Sequence, residues 1–288
     1  MELEFKKIKS IKKITKKSKV VNFSVKNNEN YFANGVLTHN CYMKRHLPEG
    51  LSVSKNVGDI LTAINNHALF AIVDKPNQTH PEYVTYDISC NEDFALHAKY
   101  HPWEKIFDFF KDHPRAMGSF ATKYVNESLL DYNPEGKIRI RFSLMPDKYS
   151  KILEPNTTPI DLRIKAIDRF IEAGYDVHIN FSPVLVVEGW LTEYAELFRQ
   201  VNGIVENKDK VKAEVIFLTH NEGKHRYNLE HKLPGSNLLW NESIQEAKES
   251  QYGGKNIRYK REKKAEFIRT FETIHKQILP WNDIRYIF

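Results

Sequence analysis

From about residue 57 onward, two kinds of hydrophobic spacing alternate along the chain. Short apolar or every-other-residue runs stand at 83–89, 119–124, 138–144, 177–184 and 213–218, the period of β-strands. Between them, helix-like stretches cover 57–66, 102–112, 161–173 and 191–202, and a Lys/Glu-rich helix is expected over 261–278. This order predicts an α/β fold with a parallel sheet and crossover helices, either a barrel or a partial barrel. Each strand run is followed by polar or special residues: Ser89-Cys90, Lys123, Ser143, Ser182-Pro183 and Thr219-His220. In such folds chemistry collects at the carboxyl ends of the strands. Residues 221–260 are less regular, with a turn signal at Gly253-Gly254.

The first forty residues read differently. Val21-Asn22-Phe23-Ser24-Val25 alternates like a half-buried strand, residues 27–30 read as a turn, and Tyr31-Phe32-Ala33 as a second strand. Asn34-Gly35 is a strong hairpin signal before Val36-Leu37. This part is expected to be all-β and too small to fold alone. A boundary after Asn40 therefore divides the chain into residues 1–40 and 41–288.

Composition changes the picture in one respect. The formal charge of +6 over 288 residues suggests a nucleic-acid partner. Yet residues 1–40 hold nine lysines against three glutamates, which already accounts for all of it. The larger part is balanced, so the total says nothing about its partners. No run approaches the roughly 20 apolar residues needed to span a bilayer. Two cysteines, Cys41 and Cys90, are too few for a disulfide framework, and a reducing cytoplasm is the expected location.

The sharpest local chemistry is Thr38-His39-Asn40-Cys41. An asparagine side-chain amide can attack its own backbone carbonyl and cut the chain after itself. His39 is placed to assist, and Cys41 offers a thiolate that can accept an acyl group. The tripeptide alone is a weak signal. With Tyr31-Phe32-Ala33-Asn34-Gly35-Val36-Leu37-Thr38 before it, the stretch resembles the C-terminal splicing motifs of inteins. The resemblance implies that Asn40 cyclises with help from His39 and that Cys41 is acyl acceptor and first residue of the spliced product. Many inteins have histidine where Glu29 stands and aspartate where Asn22 stands. The chain starts with Met1 at the length of the smaller half of a split intein, so splicing in trans with an N-terminal partner polypeptide is expected. The lysines would suit an acidic partner surface, or are a plain solvated charge run.

Residues 41–288 resemble the spore photoproduct lyase family of radical S-adenosylmethionine enzymes. The matching pieces are Cys41-Tyr42, Tyr86-Asp87-Ile88-Ser89-Cys90-Asn91-Glu92-Asp93, Thr122-Lys123-Tyr124, Ile140-Arg141-Phe142-Ser143-Leu144, Glu188-Gly189-Trp190 and Tyr252-Gly253-Gly254-Lys255. The resemblance implies a partial (β/α) barrel, a 4Fe-4S cluster held by Cys-x3-Cys-x2-Cys, and S-adenosylmethionine at its open iron. Of that motif only the third cysteine is present, as Cys41, which would serve in splicing and then as cluster ligand. The first two are expected on the partner polypeptide.

By the same resemblance, Cys90 donates a hydrogen atom to the substrate radical and Tyr42 relays it, while Lys123 and Ser143 engage the methionine part of the cofactor. Without it, Cys90 reads as a core cysteine, Tyr42 as a packing aromatic and Lys123 as a solvated lysine. Arg139 and Arg141 share one face of a strand and could meet phosphate or form surface salt bridges. Asn91-Glu92 and Gln251 depart from the lyases, which have small hydroxyl residues and a basic residue there. The expected function is repair of thymine photoproducts in DNA after splicing. The alternatives are a radical reaction on another substrate, or a degenerate domain with autoprocessing only.

Overall fold

A computed structural model describes residues 56–71, 73, 80–88, 93–249 and 255–288. In chain order these form α1 (Val57–Phe70), β1 (Val84–Asp87), α2 (Phe94–His97), α3 (Trp103–Asp112), β2 (Ala116–Thr122), β3 (Ile138–Leu144), α4 (Asp147–Leu153) and α5 (Ile160–Glu172). They continue as β4 (Asp176–Val184), α6 (Trp190–Ile204), β5 (Lys212–Phe217), β6 (Thr219–Asn221), α7 (Glu222–Glu230), β7 (Gln245–Glu249), β8 (Lys255–Tyr259), α8 (Arg261–Ile278) and β9 (Ile284–Ile287).

Six strands make one sheet in the order β1-β2-β3-β4-β5-β9, with every neighbouring pair parallel. It is the curled, half-barrel form of an α/β fold, as the alternation of periods predicted. The five strand runs and five helical stretches read from the sequence all appear, with ends shifted by a few residues. Four features were not foreseen: the short helices α2 and α4, strand β9, and the antiparallel sheet β6-β8-β7 with α7 inside the stretch read as irregular. Their apolar runs are too short, or too interrupted by charge, to carry a period.

The sheet has two unlike faces. Tyr86, Phe120, Phe142, Phe181 and Phe217, one aromatic from each of β1 to β5, are buried on the helix side. Phe120 meets Phe94 of α2 and Phe107 of α3; Phe142 meets Phe170 of α5. Phe181 packs on Phe198 of α6 and Phe271 of α8. Burying each such ring contributes about 1.5–3 kcal/mol. Helix α6 turns Trp190, Tyr194, Leu197, Phe198 and Val201 inward at i, i+4, i+7, i+8 and i+11, the stripe that seats it on the sheet. At the end of α5 the chain turns at Gly174, whose φ of 93° glycine adopts freely. A Cβ there would lie 2.1 Å from Asn133 Oδ1.

Among the described residues no helix is long and apolar enough to cross a membrane. The whole segment read as an intein fragment, including His39 and Asn40, lies outside the described residues, as do Cys41, Tyr42 and Cys90.

Candidate active site at the strand ends

On the other face of the sheet the alternate residues are polar and charged. In register across the strands run Asp87, Ser119, Arg139 and Asp176; then Ala121, Arg141, His178 and Lys212; then Ser143, Asn180, Glu214 and Tyr286. These side chains are largely paired with one another. Arg139 Nε donates to Asp176 Oδ2 at 2.6 Å, and Arg141 donates to Asp87 Oδ2 at 2.6 Å and to Glu214 Oε2 at 3.5 Å. Arg285 donates to Glu214 Oε1 at 2.8 Å, and the Tyr286 hydroxyl donates to Glu214 Oε2 at 3.4 Å. The two alternatives for Arg139 and Arg141, phosphate contact or surface pairing, therefore give way to a third. Both are tied into ion pairs inside the polar face, with Arg139 only 3% exposed.

Burial sets the protonation of this network. His178 is pushed down to about 4 by burial, against the pull of Asp176. The imidazole is then neutral, with Nε2 3.0 Å from Asp176 Oδ1 and Nδ1 3.2 Å from Arg285. That arrangement requires the tautomer with hydrogen on Nε2. Burial alone would raise the Asp176 carboxyl, but hydrogen bonds from His178 and Arg139 outweigh it and hold it well below the usual range. Arg285 falls to about 10 through burial and the nearby Arg139.

Toward the carboxyl ends the network becomes a site. Lys123 directly follows β2 and is buried, 5% exposed, so the solvated-lysine reading does not hold. Its Nζ lies 3.5 Å from Glu154 Oε1. Glu154 Oε2 accepts from Arg163 Nη1 at 2.9 Å and from Ser150 Oγ at 3.0 Å. The same Arg163 nitrogen donates to the Ser143 carbonyl at 2.8 Å, while its other nitrogens reach the Thr158 carbonyl and Thr157 Oγ1, both at 2.6 Å. A fully buried guanidinium thus fixes the end of β3, the residues after α4 and, through Glu154, Lys123. Through Glu154 and Arg163, Lys123 and Ser143 are brought into one cluster.

Asp93 performs the matching task on the other side. It caps α2 by accepting from Leu96 N, and its carboxylate also accepts from Thr122 Oγ1 and Lys123 N, each at 2.7 Å. The Ile88 amide donates to the Ser119 carbonyl at 2.9 Å. Ile88 and Asp93 are thus each tied to β2 or the residue directly after it.

Among the described residues, two buried oxygens at this end have no hydrogen-bond partner, Asn180 Oδ1 and the Tyr149 hydroxyl, and Glu154 Oε1 has only its ion pair with Lys123. Asn180 Nδ2 donates to Ser143 Oγ at 3.4 Å, so its Oδ1 stands beside the serine. Buried polar atoms are normally paired. An ammonium, a serine hydroxyl and free acceptors together fit the carboxylate and ammonium of an amino-acid moiety, such as the one S-adenosylmethionine carries. The cluster's donor set does not fit in the same way. The chain has two cysteines, both outside the described residues, where three thiolates are needed. Among the described residues no three His, Cys, Asp or Glu side chains gather as metal ligands.

A family model described as spore photoproduct lyase matches residues 14–288. The chain belongs to the spore photoproduct lyase family. The family match begins inside the segment read as an intein fragment, well before Cys41. A spore photoproduct lyase of Bacillus subtilis is 28% identical over 211 residues, covering 72% of this chain and 62% of that protein. One from a Geobacillus species is 24% identical over 258 residues, covering 86% and 72%. The chain thus spans about three fifths to three quarters of the length of these relatives. Among solved structures, a spore photoproduct lyase variant with dinucleoside spore photoproduct superposes with a TM-score of 0.74 at 25% identity, covering 86% of this chain and 72% of that one. A second variant, with bound AdoMet and dinucleoside spore photoproduct, has a TM-score of 0.71 at 24% identity, covering 82% and 68%.

Arg163, Glu154 and Asn180 were not read from the sequence, although two left a trace. Arg163 interrupts the apolar stripe Ile160, Ile164, Ile167 and Phe170 at an i+3 position, where a charge is buried only if it is paired. Asn180 falls in the same alternation as His178 and Ser182.

Proposed function

We propose that the domain from Cys41 onward is the larger part of a radical enzyme that uses S-adenosylmethionine to repair thymine photoproducts in DNA. The observation that carries the proposal is the buried strand-end cluster of Lys123, Ser143, Asn180 and Glu154 in a chain of this family. Relatives solved with AdoMet and with dinucleoside spore photoproduct lend it their chemistry.

In this reading the Lys123 ammonium takes the cofactor's carboxylate, and Ser143 Oγ and Asn180 Oδ1 orient its amino group. When bound, the cofactor supplies the carbon radical that starts the reaction. Arg163 and Asp93 hold Lys123 and Ser143 in place from either side. Cys90 gives its thiol hydrogen atom to the substrate carbon radical, and the resulting sulfur radical regains a hydrogen atom from the Tyr42 hydroxyl. The Tyr42 phenoxyl radical is quenched by one electron from an external reductant and a proton. The partners are then DNA carrying the lesion and the polypeptide that provides two further cysteines.

The proposal includes protein splicing at Asn40–Cys41, resting on the sequence Tyr31 to Cys41 alone. Asn40 cyclises with assistance from His39, and Cys41 first accepts the partner's acyl group. Afterwards Cys41 stands third among three thiolates, able to hold a 4Fe-4S cluster. One finding favours a second reading: the family match starting at residue 14 lets residues 14–40 remain in the enzyme. Co-expression with an N-terminal intein half, followed by intact-mass analysis, separates the two. Splicing yields a joined product lacking residues 1–40 and no such product from Asn40→Ala. Recovery of the intact chain alone overturns splicing and leaves the second reading.

A further inference from the structure

Past the end of β5, two imidazoles lie against each other, His225 buried and His220 half-buried. His220 lies in β6 and His225 in the first turn of α7; their ring centroids are 4.9 Å apart with planes at 54°. The Trp240 ring stands 5.6 Å from His225 and closes one side. His225 is only 6% exposed. Among the described residues, neither nitrogen of His220 has a hydrogen-bond partner, nor does Nδ1 of His225. An unpaired buried polar atom costs on the order of 1–3 kcal/mol, and three in one place call for a ligand that the described residues do not supply.

We infer that His220 and His225 form a two-imidazole site for a borderline divalent transition-metal ion, of which Zn2+ is the representative. Imidazole nitrogen lone pairs are common protein ligands for such ions. Two imidazoles on one tetrahedral ion, at Zn–N distances near 2.0–2.1 Å, place their ring centroids about 5 Å apart. The observed separation matches that. Hard cations prefer sets of oxygen ligands, and among the described residues no carboxylate joins the pair to make a group of three. The other coordination positions fall to water or an incoming ligand, as in open zinc sites. Such an ion would pin α7 to the small sheet β6-β8-β7, just past the carboxyl end of β5. It is independent of how the strand-end cluster is used.

The test is calorimetric titration of the full chain with Zn2+ alone after chelator treatment. The expected result is one ion per chain, weakened about tenfold or more in both His220→Gln and His225→Gln. Binding should survive in a Cys41→Ala/Cys90→Ala double variant, which removes the thiolates. X-ray absorption of the zinc-loaded wild type should show two imidazole nitrogens on the metal, a readout that needs no variant to fold. Absence of stoichiometric uptake overturns the site. So does uptake that both histidine variants leave unchanged, uptake lost with the cysteines, or a metal without two imidazoles.

Discussion

The two faces of the parallel sheet are built from alternate residues of the same strands, yet they obey different rules. In β3, Ile138, Ile140, Phe142 and Leu144 face the helices, whereas Arg139, Arg141 and Ser143 face the other way. The helix side needs volume and little else: its rings fill space between strands and helices, and similar apolar residues would serve. The polar side is a set of specific pairings, in which each charge is buried only because another meets it. Near the amino ends those pairings are largely closed among themselves. At the carboxyl ends they remain incomplete, with Asn180 Oδ1 and the Tyr149 hydroxyl unmatched among the described residues. One sheet therefore separates apolar packing from polar pairing by face, and closed pairings from open ones by height along the strands.

The comparison breaks most visibly where effects are largest. Phe181→Ala should cost about 3–5 kcal/mol in urea unfolding, and the folded fraction should bind S-adenosylmethionine normally. Arg163→Met leaves Glu154 without its buried partner and should cost a similar amount, about 3–5 kcal/mol. Unlike Phe181→Ala, it should also weaken S-adenosylmethionine binding by the spliced protein, because Ser143 and Lys123 lose their common anchor. Equal behaviour of the two variants in binding would erase the distinction between the faces.

Acid sharpens it further. His178 and His220 are both held at about 4 chiefly by burial, below the ordinary 6.5. The unfolded chain binds more protons than the folded one between these values, so stability rises with pH across that interval. The contribution is full above about pH 6.5 and is lost as pH falls toward 4, at most on the order of 3 kcal/mol per ring. Urea midpoints should stay level from pH 7.5 to about 6.5 and fall from there to pH 4.5. His178→Asn should flatten part of that slope, and an unchanged slope would count against a neutral buried His178. The smallest effect belongs to Lys123→Met. It should raise the dissociation constant for S-adenosylmethionine about tenfold, near 1.4 kcal/mol, while leaving the melting temperature within a few degrees.

How legible all this was in the sequence follows the same division. The helix side was readable because burial imposes a period: two in the strands, three to four in α3, α5 and α6. Lys123 and Ser143 were readable as polar residues at strand ends, and through the family motifs around them. The sequence could not reveal that Lys123 is buried, because burial depends on Glu154, 31 positions away, and on Arg163 behind it. Pairings across β1, β3, β4, β5 and β9 were likewise invisible, since Arg141 meets Asp87 and Glu214 at separations of 54 and 73 residues. The pair His220–His225 sits in a stretch with no period at all. Only its closeness in space makes it a site.

The measurement that bears most directly on the account is turnover of dinucleotide spore photoproduct by the spliced, anaerobically reconstituted protein, with S-adenosylmethionine and a reductant. The account predicts restored thymine nucleotides and 5′-deoxyadenosine from the wild type. Cys90→Ala should form 5′-deoxyadenosine yet fail to complete clean repair, and Lys123→Met should need more cofactor for the same rate. Formation of 5′-deoxyadenosine without any repair by the wild type would contradict the assigned substrate. Absence of both products from a cluster-loaded protein would contradict the strand-end site itself.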